Sequence, residues 1–174
     1  MLRTLAQIAF VISLSAPKLP SVQVNQFAEV IQTQAEKNDI EALMFVAIIQ
    51  HESLFNERAL SKDGQDFGLM QIRSSHFGGN NNANNARLLI GIENIKVGAY
   101  SIKLNKEFCE HWLGRTPETE EWLACYTGSC KATRNFCKPT KLTKQFSDYE
   151  KCLEKEVDTG MSEDCGKIYY GKVK

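Results

Sequence analysis

The sequence predicts a single, mostly helical domain. The chain has 174 residues, 43% of them hydrophobic, which is enough to bury one core of ordinary size. Apolar residues recur at steps of three and four in several stretches, which is the period of an amphipathic helix. The sequence contains no internal repeat and no series of alternating strands. The expected fold class is therefore mostly α.

The first sixteen residues have the pattern of a secretory signal peptide. Arg3 precedes a mostly apolar stretch at 5–14, and the small residues Ser15 and Ala16 follow it. A buried first helix and a membrane anchor are the alternatives. The stretch is too short to span a bilayer, and two prolines directly after it are expected to prevent a core helix. We therefore expect residues 1–16 to be removed and the protein to be periplasmic or secreted.

The next two segments predict consecutive helices. Asn38 and Glu41, three residues apart, form a predicted capping pair that begins the second of these helices. The first helix has apolar residues on one face, at Val24, Phe27, Ile31 and Ala35.

The second helix carries a carboxyl group on its apolar side. It begins with the nearly continuous apolar run Leu43–Ile49 and should end shortly after Glu52. Met44 and Ile48 precede Glu52 by eight and four residues and lie on the same helical face. Desolvation there should favour the protonated carboxyl. A proton donor that survives at neutral pH is the central requirement for cleaving a glycosidic bond.

The middle of the chain alternates loops and short apolar segments. Residues 56–65 and the Gly- and Asn-rich residues 78–85 predict surface loops. The segment Gly68–Ile72 fits either a strand or one helical turn, because five residues are too few for periodicity to decide. Residues 88–108 return to helical spacing.

Two further helices are predicted in the C-terminal part. Thr116, with proline and glutamate after it, is expected to begin one that ends at Gly128. The last one contains Phe146, Tyr149 and Leu153 and should end near residue 160.

The six cysteines all lie in the C-terminal half of the chain, which favours disulfides in an exported protein. A metal site is the alternative, but no CxxC pair occurs and the three histidines lack ligand spacing. Fifteen pairings exist. Proximity makes Cys152–Cys165 and Cys130–Cys137 the pairs to test. The 21 basic and 21 acidic residues balance, so no nucleic-acid partner is predicted.

Three motifs, in this order, resemble those of the lytic transglycosylases, whose fold is that of goose-type lysozyme. They are Glu52-Ser53 at a helix end, Gly68-Leu69-Met70-Gln71-Ile72, and Ala124-Cys125-Tyr126-Thr127-Gly128; Asn94-Ile95-Lys96-Val97-Gly98-Ala99 looks like the family's Asn-Ile-x-x-Gly helix. The resemblance covers roughly residues 40–130, and small transglycosylases of secretion systems and pili look most similar. It implies a lysozyme-like domain at 21–135. Residues 136–174 are then a helical, disulfide-stapled extension packed on the same domain.

The resemblance also implies a mechanism. Glu52 would protonate the oxygen between N-acetylmuramic acid and N-acetylglucosamine in peptidoglycan, and then act as base on the muramyl 6-hydroxyl to close a 1,6-anhydro ring. Tyr126 would orient Glu52. The substrate-binding residues would be Ser53, Asp66, Met70, Gln71, Tyr126 and Thr127. The implied partners are peptidoglycan strands and secretion-system or pilus machinery, with no metal, no organic cofactor and a monomeric protein.

The chain departs from the family pattern at three positions. Thr127 stands where asparagine is usual, and Cys125 replaces a small residue and is expected to join a disulfide. Asp66 stands where many relatives have serine, and a second carboxylate is what a lysozyme-like hydrolase uses to hold water. The candidates for that carboxylate are Asp63, Asp66 and Glu93. A non-enzymatic wall-binding or secretion-scaffold protein is the remaining alternative.

Overall fold

The helix that carries Glu52 lies at the centre of the protein in a computed structural model, which describes residues 3–130, 138–160 and 165. The helices are α1 (Leu5–Ser15), α2 (Ser21–Asn38), α3 (Ala42–Ser53), α4 (Asn82–Leu88), α5 (Gly91–Leu113), α6 (Thr119–Tyr126) and α7 (Lys141–Thr159). The mostly helical, lysozyme-like fold class is confirmed.

Helix α3 is buried on almost every side. Every residue from Ala42 to Gln50 is buried, because α1, α2 and α7 all pack against this helix. A helix that is apolar all round belongs inside a domain. The apolar run in the sequence therefore reflects full enclosure and not a single buried face.

A small β-hairpin follows α3. Its strands, β1 (Asp66–Phe67) and β2 (Ile72–Arg73), are antiparallel, with Asp66 opposite Arg73. The segment Gly68–Ile72, which fitted a strand or a helical turn, forms the hairpin turn and the start of β2. The loop predicted at 78–85 is wrong in its second half, because α4 begins at Asn82. The Asn81 side chain caps α4 by accepting a hydrogen bond from the Asn84 backbone N–H.

Two predicted helix starts are wrong by two or three residues. Asn38 is the last residue of α2, and its side chain donates to the Gln34 carbonyl at 2.8 Å. Asp39 turns the chain in a left-handed conformation (φ 52°), which delays the start of α3 to Ala42. Helix α6 begins at Thr119, where Glu118 and not Thr116 provides the capping box.

Residues 5–15 pack into the core as α1. Ile8 and Ile12 have no exposed surface, and Arg3 bonds to Asp158 of α7 at 2.9 Å. The expectation that the following prolines prevent a core helix is wrong, because Pro17 lies after the C-cap, where proline is common. Removal of residues 1–16 during export stays a prediction. No helix within the described residues is both long and apolar enough to cross a membrane.

Helix α7 joins the C-terminal part to the rest of the protein. It packs against α1, α3 and α6, and it buries Phe146, Tyr149 and Leu153. The predicted disulfide between Cys152 and Cys165 is present. Of the other proposed pair, Cys137 lies outside the described residues. The sulfur of Cys130 instead lies 2.7 Å from that of Cys125, and the disulfide expected at Cys125 stays a prediction.

Candidate active site

Glu52 lies in the last turn of α3 and lines a cleft of about 240 Å³. Four other predicted site residues line the same cleft, namely Met70, Gln71, Tyr126 and Thr127. The cleft is bounded by the end of α3, the hairpin, the middle of α5 and the end of α6. The structure thus brings together residues that are separated by 75 positions of sequence.

The environment of Glu52 favours its protonated form. Burial is the main cause that raises the pKa of this carboxyl from 4.5 to about 7, and the negative charge of Asp66 adds to it. No hydrogen bond or ion pair from the described residues reaches the carboxyl group to offset this effect. The cleft therefore keeps a proton donor available at neutral pH.

Gln71 is held in a strained conformation that places it at the cleft. Its φ of 46° is left-handed, which costs a non-glycine residue about 1–2 kcal/mol. The side-chain amide donates to the carbonyls of Ala59 (3.2 Å) and Gly68 (3.0 Å). These bonds use the amide N–H groups and leave the amide oxygen as an acceptor for a ligand.

Asn94 of α5 anchors the hairpin turn. Its side chain has no exposed surface, accepts from the Met70 N–H at 2.8 Å, and donates to the carbonyls of Phe67 and Leu88, each at 2.8 Å. Gly68 makes this contact feasible, since a Cβ there would lie 2.4 Å from the Asn94 Nδ2. Asn94 therefore positions the two cleft residues Met70 and Gln71.

Met70 packs directly onto α5. A Cβ at Gly98 would lie 2.2 Å from the Met70 sulfur, so glycine is required for this close approach. Met70 is 1% exposed, which makes it mainly a packing residue that also forms the floor of the cleft.

Tyr126 and Thr127 contribute from the end of α6. Burial raises the pKa of the Tyr126 hydroxyl, and the charge of Glu52 raises it further, so this group remains a donor. No hydrogen bond joins the Tyr126 hydroxyl to Glu52 among the described residues, and its orienting role stays a proposal. The Thr127 hydroxyl donates to the Leu123 carbonyl at 3.0 Å, which commits its proton to the helix end.

Two predicted site residues do not line the cleft. Ser53 is buried and its hydroxyl donates to the Ile49 carbonyl at 3.2 Å, one turn back in α3. Asp66 lies beside the cleft and is held by both Nε (2.8 Å) and Nη2 (3.0 Å) of Arg73. Its charge still acts on Glu52 through space.

The other candidate carboxylates are also engaged elsewhere. Asp63 pairs with Arg73 at 3.0 Å, and Glu93 pairs with Lys96 at 2.9 Å. Neither lines the cleft. Within the described ranges, Glu52 is the one carboxyl group that does.

The chain was compared with known proteins. The family model described as Transglycosylase SLT domain matches residues 29–141, which is well over half of the chain. This protein belongs to the SLT transglycosylase family. Searches of curated proteins and of solved structures gave no significant match.

The SLT region contains nearly the whole cleft. It runs from the middle of α2 to the first residue of α7, so Leu142 is the one cleft-lining residue that falls outside it. Membership of the SLT family implies a transglycosylase-type function on peptidoglycan, and hence action outside the cytoplasm. Helix α1 and almost all of α7 are additions to the SLT region that pack against each other.

Several residues that line the cleft were not predicted as site residues from the sequence. They are Ile72, Arg73, His76, Phe77, Ser101 and Leu142. Ile72 ends the quoted motif Gly68-Leu69-Met70-Gln71-Ile72. Ser101 and Leu142 lack a signal, because a serine on a helix and a leucine at a helix start are common everywhere.

Three aromatic side chains of the SLT domain lie outside the cleft. His51 contacts the ring of Phe146 edge-on at 4.9 Å and does not line the cleft. Trp122 is 6% exposed, and Trp112 lies on the surface against Phe108. Neither tryptophan reaches the cleft.

Proposed function

We propose that this protein is a lytic transglycosylase that cleaves the β-1,4 bond between N-acetylmuramic acid and N-acetylglucosamine in peptidoglycan. Glu52 donates its proton to the glycosidic oxygen, and the N-acetylglucosamine unit leaves as an alcohol. The ionised Glu52 then removes the proton of the muramyl 6-hydroxyl, whose oxygen bonds to C1 and closes a 1,6-anhydro ring. One proton is given and one is regained, and no water is consumed.

The observation that supports this reaction is the isolation of Glu52 as a raised-pKa carboxyl in the cleft. The donor form decreases as the pH rises through about 7, so activity should decline on the alkaline side. A hydrolase also needs a group that holds water. Asp66 is poorly placed for that work, because Arg73 engages both of its oxygens. This favours the anhydro-forming reaction over the lysozyme-like alternative.

The proposal also covers substrate binding, the oligomeric state, the location and the partner of the protein. We infer that Gln71, Tyr126 and Thr127 bind the sugar, with Met70 under it, and that Ser53 and Asp66 act indirectly by supporting α3 and by charge. The protein would act as a monomer in the periplasm or outside the cell after export. Secretion-system or pilus machinery would be the partner that localises it.

Product masses test the reaction. Purified protein incubated with peptidoglycan should release muropeptides that end in 1,6-anhydro-muramic acid and are lighter by one water than hydrolytic products. Liquid chromatography with mass spectrometry separates the two. Products with only reducing-end muramic acid would show a hydrolase, and intact peptidoglycan that binds the protein would show a wall-binding protein.

A further inference from the structure

A second cavity, of about 510 Å³, lies away from the catalytic cleft. It is formed where α2 ends and α3 begins, and α6 and α7 close it. Helix α3 reaches the cavity with Met44 and the cleft with Glu52, eight residues and about 12 Å further along. Helix α7 does the same with Glu150 and Leu142. The two sites therefore lie at different positions along two shared helices.

The cavity is strongly acidic. Its lining contains two cationic residues, Arg3 and Lys106, and the five carboxylates Glu36, Asp39, Glu41, Glu150 and Glu154. Lys106 is partly engaged, since its ammonium donates to the backbone carbonyl of Asp39 at 2.6 Å. An electronegative cavity attracts cations and repels anions.

Glu150 is the buried member of this group. It is 9% exposed, and within the described ranges neither a hydrogen bond nor an ion pair reaches its carboxyl group. Burial, followed by the charges of Glu154 and Glu41, raises the pKa of Glu150 to about 8, while Lys151 and Arg3 act weakly in the opposite direction. Such a carboxyl favours its protonated form at neutral pH, and a cation bound beside it would favour the ionised form.

In the chain that retains residues 1–16, Arg3 places an organic cation at the edge of this cavity. Its side chain is 7% exposed, and its guanidinium contacts Asp158 at 2.9 Å and Glu154 at 3.4 Å. The Nε atom of Arg3 is buried without an acceptor, so the group is not fully satisfied. Glu150 provides a second position for a cation in the same cavity.

The rest of the lining is mostly apolar. It consists of Ala35, Ile40, Ala42, Met44 and Trp122, with the two polar residues Gln32 and Thr119. Such a wall suits methylene groups, and a tryptophan face attracts an ammonium group. No group of His, Cys, Asp and Glu in the described residues has the geometry of a metal site, which favours an organic cation over a metal ion.

We propose that this cavity binds an aliphatic primary amine, with its ammonium group beside Glu150 and its methylene chain along the apolar wall. Two sources share this chemistry. One is a free diamine, and the other is the side-chain amine of a diamino acid in a peptidoglycan stem peptide; only the second source rests on the proposed function. The site itself is independent of the reaction at Glu52.

Tryptophan emission measures the binding directly. The chain has two tryptophans, so a Trp112→Phe background leaves Trp122, in the cavity wall, as the reporter. Titration with 1,5-diaminopentane should give a saturable change, whereas 1,5-pentanediol, which has the same chain without charge, should give none. Glu150→Gln should reduce the affinity for the diamine by more than about tenfold, because the buried counter-charge is lost. Glu29→Gln, an exposed carboxylate on α2 outside the cavity, should bind as the background protein does.

Calorimetry provides a second readout that does not depend on a variant. An ammonium group beside Glu150 favours its ionised form, so binding at pH 7 should release protons. The observed enthalpies in phosphate and Tris should then differ. No saturable signal, equal binding of the diol, or full affinity in a folded Glu150→Gln protein would overturn the proposal.

The source of the amine is assigned by competition. If the cell wall supplies the ligand, a stem tripeptide that ends in a diamino acid should displace the diamine from the cavity. If a free diamine is the ligand, 1,5-diaminopentane should bind more tightly than the tripeptide. Both titrations can be carried out with the Glu52→Gln protein, in which the proposed reaction is removed. Amine binding in the cavity should be the same in that protein, so failure of the proposed reaction and failure of the amine site can be distinguished.

Discussion

Replacing Glu52 with glutamine should reduce the release of anhydro-muropeptides by about 10²- to 10⁴-fold. Glutamine preserves the size of the side chain but can neither donate a carboxylic proton nor accept one. Both proton transfers of the proposed reaction depend on this group, since it is the carboxyl that lines the cleft in the described part of the chain. The initial rate of anhydro-product formation from peptidoglycan, measured by mass spectrometry, gives the effect.

The matched control is Glu93→Gln on α5. Glu93 is partly exposed, pairs with Lys96 and lies outside the cleft, so its loss should change the rate by less than about twofold. Equal rates for the two variants would contradict the assignment of Glu52. The Glu52→Gln protein should remain folded and should still bind peptidoglycan.

Replacing Asn94 with alanine should lower the free energy of unfolding by about 3 kcal/mol or more. The change removes three hydrogen bonds to buried backbone groups, and each group that is left without any partner costs about 1–3 kcal/mol. The hairpin turn also loses its attachment to α5, which should displace Gln71 and reduce activity. Urea unfolding measures the first effect and the product assay measures the second.

Asn105→Ala on the same helix is the control for this change. Asn105 donates only to the Ser101 carbonyl one turn back, where the helix already provides a partner. Its loss should cost less than about 1 kcal/mol. A loss of stability in Asn94→Ala no larger than this would show that the buried bonds do not hold the turn.

The sequence predicted the structure best where the residues themselves indicate both the local conformation and the chemical environment. Glu52 follows an apolar run at helical spacing, so its helix and its desolvation were both predictable. Gly128 and Gly160 ended α6 and α7 as expected, because left-handed residues at helix ends are usually glycine. Regular periodicity also gave α2 and α5.

The sequence was uninformative where long-range contacts decide the conformation. The left-handed conformation of Gln71 depends on bonds to Ala59 and Gly68, and no local preference of glutamine indicates it. Asp66 pairs with Arg73 because the strand register places these two residues opposite each other, on either side of a turn formed by the four residues 68–71. The sequence does not indicate this register. Leu54 and Phe55 also adopt positive φ directly after the end of α3, and neither residue type predicts this.

The N-terminal segment shows how one pattern can fit two structures. A short apolar run after a basic residue is typical of a signal peptide, yet the same residues pack as α1 against α2 and α7. Composition cannot distinguish the two, because both need apolar residues at the same positions. N-terminal sequencing of the exported protein distinguishes removal of this segment from its retention as α1.

The pKa of Glu52 is the quantity on which the proposed reaction depends. Asp66→Asn should lower it, because the Asp66 charge contributes to the raised value, whereas Asp63→Asn, which also pairs with Arg73, should leave it unchanged. The most direct measurement is an NMR titration of the ¹³C-labelled side-chain carboxyl of Glu52, assigned by its absence in Glu52→Gln. We predict a midpoint at about pH 7. A midpoint near 4.5, the ordinary value, would contradict the presence of a proton donor in the cleft at neutral pH.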